Sequence, residues 1–481
     1  MLESYLIPKE KILDRLQFEN PWWRSGKISD ELSELPRRLY FDLFYPYVKT
    51  RSVKRALVLM GPRRVGKTVM MQQAIGALIS ESINPRKIAF IGIDNPIYIQ
   101  MGLEQLFQLA LEASGEIQTD GCYIFFDEIQ YLKDWERHLK VLVDSYPKTQ
   151  FIVSGSAAAA LRIKSTESGA GRFTDFMLPP LTFQEYLHLK NLQHLIQIKK
   201  ITYNNQLTDF AEAVDIKVLN EEFFNYINYG GYPEVIFSKD IRQNMSRYIK
   251  SDIVDKVLLR DLPSLYGIRD VQELNRFFAY LAYNTGREFS AEKISRESGL
   301  EKNIIRKYLE YLEAAFLIKI INKVDDNAKH FKRITGFKVY LTNSSLRSAL
   351  FSPVGPADDE AGNMVETALF SQWMHRENVV LNYASWKNGN SEGEVDMLQI
   401  DPKKLKPAWC VEIKWTNRFV EKPKSLKSLL QFCEKNKLSS ALVTTIDREE
   451  EQIFNGIQLL FVPAAAYAYL VGMRTLQQKQ S

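Results

Sequence analysis

The sequence predicts a multidomain α/β protein in which a parallel-sheet core is followed by a helical lid, a winged-helix unit and a C-terminal α/β domain. Three observations predict it. A buried apolar run at 55–60 passes through a glycine-bearing loop straight into a helical run. Helical periodicity with charged faces dominates from about 188 to 330. Alternating strands and helices then return between 363 and 473. A chain of 481 residues is too long for one ordinary core, and its 45% apolar and 25% charged content is that of a globular protein folded throughout. The expected division is an N-terminal helical extension at 1–50, the parallel-sheet core at 51–187, the lid at 188–265, the winged-helix unit at 266–345 and the last domain at 346–481.

The core is read from its first strand. Arg55 to Met60 is a short buried strand, Gly61-Pro62-Arg63-Arg64-Val65-Gly66-Lys67-Thr68 follows at once, and a helix is expected from Val69 to Ile79. This is a P-loop in its proper strand–loop–helix context. Glycines let backbone N–H groups turn toward a β-phosphate, and the helix N-terminus adds positive potential. Lys67 neutralises β/γ charge and Thr68 offers a hydroxyl to Mg²⁺. ATP and Mg²⁺ are therefore the expected cofactors, with Gly61, Arg63, Gly66, Lys67 and Thr68 on the nucleotide. A second apolar run, Cys122 to Phe126, ends in Asp127-Glu128. Asp127 is expected on the Mg²⁺ and Glu128 on the attacking water, because hydrolysis, unlike transfer to another acceptor, needs a carboxylate that polarises water. A strand at Lys87–Asp94 lies between the two motifs, as in the ATPase branch of P-loop folds, and a fourth run, Gln150-Phe151-Ile152-Val153-Ser154-Gly155-Ser156, ends where Ser154 or Ser156 could sense a γ-phosphate or simply form a strand exit.

In the middle region, Ser290 precedes an amphipathic stretch to Ser298, Gly299 supplies a turn and Lys302 to Leu317 continues as a second helix, a helix-turn-helix pattern. Ile305, Leu309 and Leu312 would pack inward while Lys302, Arg306 and Lys307 face DNA phosphates. A hairpin from Phe316–Lys323 and Ile334–Leu341 would complete a winged helix; the alternative is a module that touches only protein. In the last domain, Trp409-Cys410-Val411-Glu412-Ile413-Lys414-Trp415 alternates so that Glu412 and Lys414 share one side, and Glu394 to Ile400 reads as the partner strand that brings Asp396 beside Glu412. Two carboxylates and a lysine suit a Mg²⁺ nuclease: Asp396 and Glu412 hold the metal, Lys414 orients or deprotonates water, and Glu366, on a helix from Met364 to Met374, adds a ligand.

These motifs carry two resemblances. Gly-Pro-Arg-x-Val-Gly-Lys-Thr, Phe-Asp-Glu-Ile-Gln with Trp135, Ser-Gly-Ser, Gly171-Arg172, Pro180-Leu181-Thr182-Phe183-x-Glu185-Tyr186 and Gly230-Gly231-Tyr232-Pro233-Glu234 together resemble a bacterial and archaeal family of AAA-type ATPases with a C-terminal nuclease-like domain of uncharacterised function. The chain departs from it at Arg64, where Gln is common, and at Asn343, where Asp is common. The resemblance implies an arginine finger at Arg172, acting in the same or a neighbouring subunit, and a homo-oligomer. Asp396 followed by Glu412-x-Lys414 is similar to the restriction-endonuclease superfamily, with Gln431 a further candidate. An active nuclease, a DNA-binding domain that retains the fold, and charged strand faces all remain open readings.

Formal net charge is +5, which permits nucleic-acid contact without requiring it. Cys122, Cys410 and Cys433 have no metal-type spacing, and the charged N-terminus lacks a signal-peptide core, so a cytoplasmic protein with no membrane partner is expected. The expected function is an ATPase that couples hydrolysis to binding and remodelling DNA, branched or forked, with a nuclease-like domain. The alternatives are an ATP-gated nuclease acting as a defence or stress switch, and a non-enzymatic AAA adaptor.

Overall fold

The computed structural model describes residues 7–50, 53–98, 101–155, 171–203, 206–329, 336–374, 376, 379–388 and 391–480. They divide into two compact units, Met1–Pro179 and Pro180–Ser481. No helix among the described residues is long and apolar enough to cross a membrane.

Unit 1 is built on five parallel strands, β1 (Ala56–Met60), β2 (Ile88–Gly92), β3 (Tyr123–Asp127), β4 (Gln150–Gly155) and β5 (Phe173–Met177), in the order β2-β3-β4-β1-β5. β1, β3 and β4 are buried along their whole length, as in a parallel sheet covered on both faces, and each has an apolar centre. The helices Lys67–Ser80, Leu103–Ser114 and Trp135–Ser145 make the crossovers, so β1, β3 and β4 all finish on one edge of the sheet. The N-terminal extension is helical and protects the exposed edge strand. Asn20 both donates to the Phe90 carbonyl (2.8 Å) and accepts from the Phe90 N–H (2.6 Å), while the indoles of Trp22 and Trp23 donate to the Ile88 carbonyl at 2.9 and 2.7 Å.

Unit 2 departs from the expected run of helices. An antiparallel hairpin, β6 (Ile196–Tyr203) and β7 (Gln206–Ala213), interrupts the expected lid before the helix Ile216–Tyr229 begins. The helix–turn–helix is present as Ala291–Ser298 and Lys302–Ala314. Ser290 caps the first helix through the Lys293 N–H, and Gly299 ends it at φ 74°. Strands β8 (Glu288–Phe289), β9 (Ile318–Val324) and β10 (Phe337–Leu341) follow the expected hairpin, but β9 also pairs in parallel with β11 (Leu381–Asn388). The hairpin is thereby continuous with β12 (Ser391–Asp401), β13 (Lys406–Glu412), β14 (Ser440–Thr445), β15 (Glu450–Phe454) and β16 (Ile457–Pro463). They form one nine-stranded sheet, ordered β15-β16-β14-β13-β12-β11-β9-β10-β8, which runs across the boundary expected at 345/346. β11, the β15–β16 hairpin and the final helix Ala464–Gln480 add to the C-terminal elements read from the sequence.

Candidate functional sites

The phosphate loop leaves β1 at Met60 and enters its helix at Lys67, two residues earlier than the sequence pattern suggests. Gly61 is required by close approach: a Cβ there would lie 2.1 Å from the backbone oxygen of Leu178. Gly66 sits at φ 93° as the helix N-cap, a conformation that glycine adopts without cost. Lys67 is 5% exposed and its Nζ donates to the carbonyls of Gly61 (3.1 Å) and Pro62 (2.8 Å), so the loop is closed on its own cation. Arg63 reaches the Tyr131 hydroxyl at 3.4 Å.

The acid pair is brought to the same edge. The Thr68 hydroxyl donates to Asp127 Oδ2 at 2.7 Å, and the fully buried Ser154 hydroxyl donates to Asp127 Oδ1 while accepting the Glu128 N–H at 3.2 Å. Ser154 therefore spends its hydrogen bonds on orienting both acids; Ser156 lies outside the described residues. Burial pushes the Asp127 carboxyl up, the charge of Glu128 adds to this, and the Ser154, Thr68 and Lys67 contacts oppose it. Glu128 stands in the left-handed region at φ 55°, a conformation that costs a non-glycine residue about 1–3 kcal/mol and is typical of functional sites. Gln130 donates to its carboxylate. Asp94, which follows β2, is a third acid here that the sequence reading did not single out: burial raises its carboxyl and the charge of Glu128 raises it further. One hydroxyl and one carboxylate, Thr68 and Asp127, fit a Mg²⁺ whose other positions go to phosphate oxygens and water.

Arg172 is placed elsewhere. Phe173 pairs with Ala56 at the start of β1, four residues before the loop-bearing end, or about 13 Å at strand rise. The Arg172 Nε is 2.6 Å from Asp144 Oδ1. An arginine finger acting on its own subunit's loop does not follow from this register.

In unit 2, Met397 pairs with Val411, which puts Asp396 next to Glu412 as the alternation implied. A bulge sharpens the placement: Asn382 pairs with Leu398 but Ala384 with Val395, so Tyr383 faces both Asp396 and Met397. Asp396 Oδ2 accepts the Ile413 N–H at 2.8 Å and the Lys414 ammonium at 2.9 Å, and Lys414 lies 2.9 Å from Glu412 Oε1. Glu412 Oε2 is buried with no hydrogen-bond partner among the described residues. Burial first, then the charge of Asp396, pushes the Glu412 carboxyl up to about 8. For Lys414, burial pulls the ammonium down, but Asp396 and Glu412 more than offset it, so the net shift is upward and the lysine stays a cation. It can orient a substrate or balance charge; deprotonating water is not its resting role.

Glu366, on the helix Ala361–Trp373, is engaged differently from expectation. The buried Lys338 of β10 donates to its Oε1 at 3.1 Å and reaches Glu394 Oε1 at 2.7 Å, while the Tyr340 hydroxyl also donates to Glu366. Among the described residues no group of three or more His, Cys, Asp or Glu side chains is arranged to hold a metal ion. The three-carboxylate set of Glu366, Asp396 and Glu412 is thus replaced by a carboxylate pair with one orphaned oxygen, beside a Glu366 already paired with lysine. Lys338 and Tyr340 were missed because nothing local in β10 marks a strand that crosses into another domain's site, and Glu394, on β12, was read only as the start of the partner strand. Thr444 was missed too; its hydroxyl accepts the Lys414 N–H (2.7 Å) and donates to the Lys414 carbonyl (2.8 Å). Gln431 is exposed on the helix Lys427–Asn436.

On the helix Lys302–Ala314, Ile305, Leu309 and Leu312 are buried as expected, and Arg306 and Lys307 are exposed. Lys302 is 2.9 Å from Glu292, which partly neutralises it.

Comparison with known proteins agrees with the first unit's geometry. Residues 53–187 match the family model of an AAA domain, and residues 220–356 match a domain of unknown function. An uncharacterized protein of Haemophilus influenzae is 24% identical over 347 residues, 71% of this chain and 79% of that protein. Another, from Methanocaldococcus jannaschii, is 26% identical over 427 residues, 87% of this chain and 84% of that protein. Among solved structures, the Walker-type ATPase of Pyrococcus abyssi aligns over 67% of this chain and 97% of its own, at 14% identity and a TM-score of 0.41. From its family match and from the Lys67, Thr68, Asp127 and Glu128 constellation, residues 53–187 are an AAA domain of the P-loop ATPase class.

Proposed function

We propose that the chain hydrolyses ATP at the loop of unit 1 and uses the cycle to bind and remodel DNA, branched or forked, through unit 2. The observation that carries the hydrolytic half is the chain of contacts from Thr68 through Asp127 and Ser154 to the Glu128 backbone, which brings both acids to the edge of the sheet where the loop lies. Thr68 and Asp127 would hold a Mg²⁺ that arrives with the nucleotide, and the cation would neutralise charge that develops on the phosphates. Lys67 exchanges the Gly61 and Pro62 carbonyls for phosphate oxygens, and Glu128 takes up the proton of the attacking water.

The DNA-directed half is supported by the exposed Arg306 and Lys307 on the second helix of the helix–turn–helix, and by the Lys414 cation set between Asp396 and Glu412, which suits a phosphodiester. ATPase rates and product lengths on forked, junction, single-stranded and linear duplex DNA, with wild type and Asp396→Ala, test it. Stimulation by forked or branched DNA supports the proposal; no DNA binding and identical rates on every DNA would sink it.

A second reading, an ATP-gated nuclease, is favoured by one feature: Lys338 and Lys414 already neutralise the carboxylates of unit 2, as in a site held inactive. Nicking that is supported by a nonhydrolysable ATP analogue would select it, and strand separation strictly dependent on hydrolysis would eliminate it.

A further inference from the structure

We propose that Arg38, in the N-terminal extension, is a positioning residue for the phosphate loop. The residue is 7% exposed, and a guanidinium removed from water persists only where its donors are taken up. One nitrogen, Nη1, donates to the carbonyl of Val65 inside the loop at 3.0 Å and to the carbonyl of Pro179 at 2.7 Å. A planar trans peptide points its C=O and its N–H in opposite directions, and the described residues contain no cis peptide. Fixing the Val65 carbonyl toward Arg38 therefore turns the Gly66 N–H the other way, toward the side of the loop that Lys67 serves. The left-handed conformations of Arg64 (φ 64°) and Gly66 (φ 93°) on either side of Val65 suit the concave anion-binding arrangement of successive N–H groups.

The loop has a second anchor. The Leu178 N–H donates to the Met60 carbonyl at 2.7 Å, and the Leu178 oxygen fills the space a Cβ would need at Gly61. The two anchors divide the work: Leu178 fixes the loop's entry and Arg38 fixes the peptide just before its helix. Lys67 holds the Gly61 and Pro62 carbonyls only until a phosphate competes for it, whereas Arg38 contacts an atom that faces away from the phosphates. Its hold on Val65 thus persists through the cycle. Arg38 holds one carbonyl inside the phosphate loop, that of Val65, and one after β5, that of Pro179, so its contribution is assigned to nucleotide affinity and not to the chemical step.

The test compares Arg38→Met, Arg38→Lys and Lys67→Ala in the full chain by ADP titration and steady-state ATP hydrolysis. Losing charge-assisted hydrogen bonds of this kind should weaken ADP binding and raise KM for ATP by about ten-fold or more in Arg38→Met. Over the same change kcat should stay within about three-fold, and Arg38→Lys should recover most of the loss because an ammonium can still reach a carbonyl. Arg38→Met that binds ADP within about two-fold of wild type overturns the proposal, as does a fall in kcat at constant KM, or a lysine variant no better than methionine. If Arg38→Met does not fold, the neutral Arg38→Gln decides in its place: a raised KM with unchanged kcat supports the role, and wild-type values contradict it. Lys67→Ala separates the two claims. Intact ADP binding in that variant shows that the loop is not the nucleotide site and overturns both, whereas its loss alongside normal binding in Arg38→Met overturns only the role of Arg38.

Discussion

Asp127 and Glu128 are neighbours in sequence with opposite surroundings. Asp127 ends a buried strand and is held by two hydroxyls, while Glu128 turns out of it at positive φ. That turn lets one acid serve the cation and the other the water. Glu128→Gln should keep nucleotide binding and lower turnover by about 10²- to 10⁴-fold, the usual contribution of a general base, and Lys67→Ala should weaken binding itself; ATP binding measured beside hydrolysis separates the two. Gly61→Ala should destabilise unit 1 by about 1–3 kcal/mol, since the added carbon meets backbone that cannot rotate away; the thermal midpoint of unit 1 reads this. Much of this site was legible, because each P-loop position has one fixed chemical duty. Arg38 was not, because a buried arginine on a short connector carries no local signature; only the carbonyls it meets reveal it. Asn343, noted as a departure, keeps a cap: its Oδ1 accepts the Ser345 N–H at 2.9 Å, and a Cβ on Gly231 would strike its side chain at 1.9 Å. The Gly230-Gly231 pair is thus explained by close packing.

At the scale of elements, the start at Ser290 and the stop at Gly299 of the helix Ala291–Ser298 were legible, whereas the capping box at Thr182 was not singled out. Thr182 and Glu185 form a reciprocal capping box at the helix Phe183–Leu189, so part of one family motif is a helix start. The hairpin β6–β7 was not legible, since Ile196-Gln-Ile-Lys-Lys-Ile breaks strict alternation and its charges resemble a helix face. In β12 and β13 the alternation correctly paired Asp396 with Glu412, but it could not show that Lys338 arrives from a strand about sixty residues away, across a sheet that joins two expected domains. The cluster has a pH signature. A carboxyl raised to about 8 is protonated in the folded state over a window where the unfolded chain has already ionised, so the folded state binds the extra proton. Stability should fall by a few kcal/mol as pH rises from the ordinary carboxylate range through 8. Glu412→Gln should flatten that fall in thermal midpoints taken from pH 5 to 9, and a wild-type slope in the variant would contradict the assignment. If the orphaned Oε2 takes a cation, Mg²⁺ at pH 9 should raise the midpoint of wild type and leave Glu412→Gln unmoved.

At the scale of the molecule, one unit carries a nucleotide site and the other a helix–turn–helix whose hairpin is built into the same sheet as a carboxylate–lysine cluster. The helix that carries Arg306 and Lys307 ends at Ala314 and leads into β9 at Ile318, which pairs with β10, the strand that carries Lys338. Arg306→Ala with Lys307→Ala should weaken DNA binding and reduce its dependence on salt, with basal ATP turnover unchanged. The central claim is that hydrolysis at Glu128 is coupled to DNA. It is tested most directly by steady-state ATP turnover of wild type and Glu128→Gln, each with and without forked DNA. The account predicts a several-fold rise with DNA in wild type and no turnover above background in Glu128→Gln under either condition; equal wild-type rates with and without DNA, or wild-type turnover in Glu128→Gln, would contradict it.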